Sequence, residues 1–142
     1  MIYITVYLDN INFVTKKESD IVDITRNIQK IIDNSKVKKG LANVFVPGST
    51  GSITTIEFEP GLINDFPEAL ARISPMNIHY KHHETWNDDN GRSHVKASLI
   101  GPSLSLPIND GKMIHGTWQQ LVFIEHDTMP RNRKIFVTII GE

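Results

Sequence analysis

Residues 79 to 94 read His-Tyr-Lys-His-His-Glu-Thr-Trp-Asn-Asp-Asp-Asn-Gly-Arg-Ser-His, which places four of the six histidines, His79, His82, His83 and His94, beside Glu84, Asp88 and Asp89. Imidazole both binds divalent metals and moves protons near neutral pH. A carboxylate neighbour orients the ring and tunes its pKa. His82 and His94 are therefore the candidates for proton transfer or metal ligation, with zinc or another transition metal expected on the imidazoles. The competing reading is a polar loop whose histidines bond locally or face solvent, a role that suits His79 and His83. No HExxH pattern is present, since His83-Glu84 runs into Thr85-Trp86.

Other residue groups could serve the same chemistry. Pro47-Gly48-Ser49-Thr50-Gly51-Ser52 is glycine-rich and carries hydroxyls, so Ser49 and Thr50 could contact an anion. It lacks the lysine of a P-loop, and an ordinary strand-to-strand turn explains it better. Glu57, in Thr54-Thr55-Ile56-Glu57-Phe58-Glu59, is a candidate general base on a strand or a solvated carboxylate. Trp118-Gln119-Gln120 offers a ring to stack on beside two amides, or a core tryptophan. Arg131 and Arg133, in Pro130-Arg131-Asn132-Arg133-Lys134, could grip a phosphate or carboxylate at two points.

The elements that must position these groups follow from periodicity. Ile2 to Leu8 reads as a strand, with a turn at Asp9-Asn10 and a return strand over Ile11 to Lys17. Ile24, Ile28, Ile31 and Ile32 define one face of a helix that Asp23 or Thr25 caps and Gly40 stops. Leu41–Val46 and Ser52–Phe58 are strands, and Leu62 to Ile73 is a second helix with Pro67 in its first turn. The histidine segment is then a long loop, and His94 opens a strand over Val95–Ile100. Ser103–Ile108, Thr117–Glu125 and Lys134–Ile140 complete the strands, with a turn at Asn109-Asp110-Gly111. The fold class expected is α+β, two helices packed on a mostly antiparallel sheet system, in a single domain over residues 1–142.

Composition narrows the partners. A net charge of −1 argues against a general nucleic-acid binder, which needs a basic excess. There is no cysteine, so disulfides and thiolate metal sites are excluded. The start of the chain lacks a signal-peptide pattern, and no apolar run approaches a membrane span. A cytoplasmic protein without membrane partners is expected.

The run Ser93-His94-Val95-Lys96-Ala97-Ser98-Leu99-Ile100-Gly101-Pro102-Ser103-Leu104, then Leu106-Pro107, Asp110-Gly111 and Gly116-Thr117-Trp118-Gln119, resembles the YjbQ-like family. Tyr80-Lys81-His82, Trp86, Asp88, Asn90-Gly91, Val44-Phe45-Val46-Pro47, Thr50, Glu57, Glu125, Arg133 and Gly141-Glu142 fit the same pattern. The resemblance implies a compact α+β fold in a homotrimer with clefts between subunits. It also implies secondary thiamine-phosphate synthase activity, described for some members, which joins a hydroxymethylpyrimidine pyrophosphate to a thiazole phosphate and releases pyrophosphate. By motif, His82, His94, Glu57, Trp118 and Gln119 are carried over as pocket residues, followed by Glu125 and Arg133. Many members have a histidine where this chain has Gly48, so one imidazole is missing from the family pattern.

The resulting expectation is an enzyme acting on a small phosphorylated heteroaromatic substrate in a polar cleft between subunits. His82, His94 and Glu57 would be catalytic, with His82 and His94 doubling as metal ligands. Ser49, Thr50, Asp88, Trp118, Gln119 and Arg131 would bind substrate. A divalent metal is the expected cofactor, zinc on the imidazoles or magnesium on pyrophosphate. The alternatives are a non-catalytic metabolite-binding trimer, which the missing imidazole favours, and a metal-dependent hydrolase.

Overall fold

A computed structural model describes residues 1–142. Two antiparallel sheets and four helices build an α+β fold, as the periodicity predicts, with two helices more than expected. The strands are β1 (Thr5–Val14), β2 (Ile21–Asp23), β3 (Gly40–Phe45), β4 (Gly51–Ile56), β5 (Ser103–Asn109), β6 (Lys112–Met113), β7 (Gln120–Glu125) and β8 (Asn132–Gly141). The helices are α1 (Thr25–Ser35), α2 (Pro60–Ile73), α3 (Lys81–Trp86) and α4 (Gly91–Ile100). The larger sheet has the order β1-β8-β3-β5-β6 and the smaller one β2-β7-β4. No helix is long and apolar enough to cross a membrane.

Alternation along the strands sorts the core. Ile135, Val137 and Ile139 of β8, with Ala42 and Val44 of β3, turn one face of the large sheet inward. The α1 stripe of Ile28, Ile31 and Ile32 packs onto that face with Ile24. Leu121 and Phe123 of β7 and Ile53 of β4 close the same core from the small sheet. The alternate residues Val122, Ile124 and Ile56 point the other way, under Leu62, Ile63 and Phe66 of α2. The small sheet is thus buried on both faces, which explains the unbroken apolar run of β7.

The structure departs from the sequence reading in several elements, among them α2, where Pro67 lies inside the helix rather than in its first turn. β1 runs unbroken through Asp9 and Asn10, which pair with Val137 and Phe136 of β8, so the expected hairpin is absent. A tight hairpin turn needs positive φ, and neither residue has it, whereas Asp110 and Gly111 do. α1 ends at Lys36 in a left-handed conformation (φ 64°) rather than at Gly40. Gly40 instead opens β3, where an added Cβ would lie 2.1 Å from the Ile140 carbonyl oxygen. The histidine segment is largely helical, and Val95–Ile100 belongs to α4 rather than to a strand. β4 ends at Ile56 and β7 starts at Gln120, leaving Glu57, Trp118 and Gln119 outside the sheet.

Candidate functional site

α3 and α4 meet at a tight corner. Asn87 ends α3 in a left-handed conformation (φ 56°), and Asp89 is left-handed as well (φ 55°), so Asp88 is held between two non-glycine residues of positive φ. The corner folds α4 back so that the His82 and His94 rings stack at 4.4 Å between centroids, tilted by 49°. His82 Nε2 lies 3.3 Å from the Asp88 carboxylate. His83 accepts a bond on Nδ1 from the Asp89 backbone N–H at 3.1 Å, and His79 pairs with Glu84 at the surface, so both bond locally.

Asn90, just before α4, links this corner to the end of β7. Its carboxamide sits between Asp88 and His82 on one side and Asp127 Oδ1, at 3.5 Å, on the other. Asp127 is a hub. Its Oδ2 accepts from Arg131 Nε at 2.8 Å and from Thr50 Oγ1 at 3.2 Å, and its Oδ1 accepts from the Thr128 N–H at 2.8 Å. Burial works to raise the Asp127 carboxyl, but the bonds from Thr128 and Arg131, with the charge of Arg131, hold it below the usual carboxylate range. The Arg131 side chain is 45% exposed, and its terminal Nη nitrogens have no partner in the chain. They are free donors for an anion.

Beneath lies a buried polar layer. Arg133 forms a two-point ion pair with Glu125 and donates to Thr50 Oγ1 at 2.9 Å. Thr15 Oγ1 donates to the same carboxylate at 2.9 Å. His126 Nε2 lies 2.8 Å from Ser52 Oγ. Burial, then the charges of Lys96 and Arg133, push the His126 pKa down to about 3, so the ring is neutral at ordinary pH.

The structure therefore gathers His82, His94, Asp88, Thr50 and Arg131 of the expected set. Thr50 is buried and its hydroxyl is engaged by Asp127 and Arg133, so it supports the site rather than offering a free donor; Ser49 beside it is exposed. Glu57, Trp118 and Gln119 lie at the other end of β4 and β7, where Ile56 pairs with Gln120, whereas Gly51 pairs with Glu125 at the near end. Five residue steps separate the two ends, about 17 Å along a strand. At the far end Gln119 braces its own loop, accepting from the Gly116 N–H at 3.0 Å and donating to Thr55 Oγ1 at 3.2 Å. Trp118 is 73% exposed. Glu59, not Glu57, acts on the backbone there, capping α2 through the N–H groups of Gly61 and Leu62.

His126 and Asp127 are absent from the sequence-based candidates, and Asn90 enters there only as part of the family pattern, without a role. The signal available for His126 and Asp127 was the run Glu125-His126-Asp127 at the end of a strand, three chemistry-bearing side chains just before the arginine turn. Gly48 has φ +128°, and an added Cβ would meet Arg133 Nη1 at 3.2 Å. A histidine at 48 would need a different loop backbone.

Residues 9–142 match the family model described as UPF0047 protein YjbQ-like. A UPF0047 protein of Methanocaldococcus jannaschii is 40% identical over 129 residues, covering 90% of each chain. Among solved structures, a YbjQ-like protein of unknown function from Sulfolobus solfataricus superposes with a TM-score of 0.93 at 33% identity, covering 99% of this chain and 100% of the other. An uncharacterized conserved protein of the YjbQ/UPF0047 family from Clostridium acetobutylicum gives a TM-score of 0.80 at 37% identity, covering 91% and 98%. The chain belongs to the YjbQ family.

Proposed function

We propose, with membership of the YjbQ family as the premise, that the chain is a transferase of the thiamine-phosphate synthase type acting on a small phosphorylated heteroaromatic substrate. The observation that carries this reading is the Asp127 hub, which ties an exposed arginine to the corner holding His82, Asp88 and His94. An anion grip and a proton-handling pair are thus linked through Asp127 and Asn90.

In this reaction the thiazole nitrogen attacks the pyrimidine methylene carbon while the carbon–oxygen bond to pyrophosphate breaks. The electron pair leaves with pyrophosphate. Negative charge grows on the leaving oxygens, and the free Nη donors of Arg131, with the exposed Ser49 hydroxyl, are the groups suited to hold it. His82 and His94 manage protons on the ring nitrogens or on the departing phosphate. A divalent metal, zinc on the imidazole side or magnesium on the pyrophosphate, would supply further charge neutralisation.

The reading includes assembly. Val6, Leu8, Leu41, Phe45 and Ile140 are exposed on the outer side of the large sheet, which no helix of the chain covers. A homotrimer would cover such a face, and a neighbouring copy could bring Glu57, Trp118 and Gln119 to the His82–His94 corner from which they are separated within one chain. Gly48 favours a second reading, a metabolite-binding trimer without turnover.

The experiment is a pyrophosphate-release assay with the two thiamine precursors, comparing the wild type with His94→Ala and Arg131→Ala. Loss of at least about tenfold in either variant is expected from removing a general acid–base or charge-stabilising group. Undiminished turnover in both removes the mechanism. Tight binding of the phosphorylated precursor without product would select the second reading.

A further inference from the structure

Asn90 is only 9% exposed, yet one end of its carboxamide meets acceptors alone. With its nitrogen toward Asp127 Oδ1 at 3.5 Å, its oxygen lies 3.0 and 3.1 Å from the two Asp88 carboxylate oxygens and 3.1 Å from His82 Nε2. His82 Nε2 is itself 3.3 Å from Asp88. Three lone-pair donors at these separations repel one another unless a proton on His82 Nε2, an amide nitrogen or a cation lies among them.

The separations are those of ligands around one ion. Adjacent ligands on an octahedral ion with bonds of about 2.1 Å are about 3.0 Å apart, and on a tetrahedral ion with bonds of about 2.0 Å they are about 3.3 Å apart. Turning the amide over would let its nitrogen donate to Asp88 and His82. That orientation satisfies both ends of the amide without an ion, so ion binding is what separates the two arrangements. No three His, Cys, Asp or Glu side chains converge in the molecule, so a site here depends on the amide oxygen as third ligand.

We propose that His82 Nε2, the Asp88 carboxylate and the Asn90 amide oxygen form one face of a divalent-cation site. One imidazole with two oxygens suits a borderline ion such as Zn²⁺, Mn²⁺ or Fe²⁺ better than Mg²⁺. The His82 and Asp88 side chains are 28% and 39% exposed, which leaves the outer positions of the ion open to water or a phosphate oxygen. His94 stacks on the His82 ring outside this triangle and stays available for a proton. The assignment builds on the same corner as the proposed transferase and replaces the His82–His94 pair as its ligand set.

The test is calorimetric titration of chelator-stripped protein with Zn²⁺ and with Mn²⁺, alongside thermal melts. One ion per chain is expected, with affinity at least about tenfold weaker in Asp88→Asn and His82→Ala and changed far less in His94→Ala. Asn90→Asp adds an anionic oxygen at the triangle. Its apo form should melt below the wild type, and the ion should raise its Tm more than it raises that of the wild type. No binding at millimolar ion, or an Asn90→Asp protein that gains nothing from the ion, overturns the site. Should Asn90→Asp fail to fold, the Asp88→Asn titration decides alone. No ion binding together with pyrophosphate release by the same protein would remove the cation and keep the transferase; stoichiometric binding without turnover would do the reverse.

Discussion

Arg133 and Glu125 face each other across a two-point ion pair with both side chains nearly excluded from water, 8% and 0% exposed. The pair sits directly under Thr50 and carries the loop that leads into β4. Removing one partner leaves the other charge buried without compensation. Arg133→Met should therefore destabilise the fold by about 3–5 kcal/mol, measured by urea denaturation. A change below about 1 kcal/mol would mean that water reaches the carboxylate.

Stability should fall with acid well before ordinary carboxylates titrate. His126 has a folded pKa of about 3 against 6.5 in the unfolded chain, so between those values only the unfolded state takes up the proton. Stability from this residue is complete above pH 6.5 and declines as pH drops toward 3, at up to roughly 1.4 kcal/mol per pH unit. Asp127, whose carboxyl is held low, adds to the loss below its unfolded value of 3.8. Equilibrium unfolding of the wild type and of His126→Gln across pH 4 to 7 checks this. The variant should show a much flatter profile over that range.

Restoring the family histidine should not restore a working third imidazole. Gly48 has φ +128°, a region costly for any side chain, and Arg133 Nη1 crowds the Cβ position. Gly48→His should lower stability by about 1–3 kcal/mol, read as a reduced Tm. Equal or higher stability would show that the 47–51 loop has a second backbone conformation within easy reach.

Leu41 and Ile140 are register partners on the outer face of the large sheet, and Val6 pairs with Ile140 from the other side. If copies associate through this face, Leu8→Glu with Ile140→Glu should shift the light-scattering mass toward the single-chain 16.1 kDa. The circular dichroism spectrum should not change, because both side chains are more than 45% exposed in one chain. A wild type that already runs at single-chain mass would remove the face as an assembly surface.

The apolar framework was readable because its periods were clean. Ile24, Ile28, Ile31 and Ile32 marked α1, and the Asp110-Gly111 turn carries positive φ at both residues. The helix α4, where the sequence suggests a strand over Val95–Ile100, hides for a definite reason. Its buried residues are Gly91, Arg92, Ser93, Lys96 and Ala97, so the face it packs inward is mostly polar and gives no apolar stripe to detect. Val95 and Leu99, the apolar residues that suggested a strand, face outward. The site divided in the same way. His82, Asp88 and His94 could be suspected from residue type alone. Asn90 and Asp127 matter because of what they bridge, and bridging across 37 residues leaves no trace in local spacing. Glu57, Trp118 and Gln119 sit near their expected strands, but at the opposite end from the histidines, and only the β4–β7 register reveals which end that is.

The corner between α3 and α4 bears on how quickly anything bound there can come and go. Asp88 lies between two left-handed residues, and Asn87 and Asp89 are of the types that take up that conformation at little cost, so the turn that presents the carboxylate is built without a glycine. A visitor to this corner would dock without waiting for a loop to close, and its residence time would be set by the bonds it makes and by the traffic of water around it.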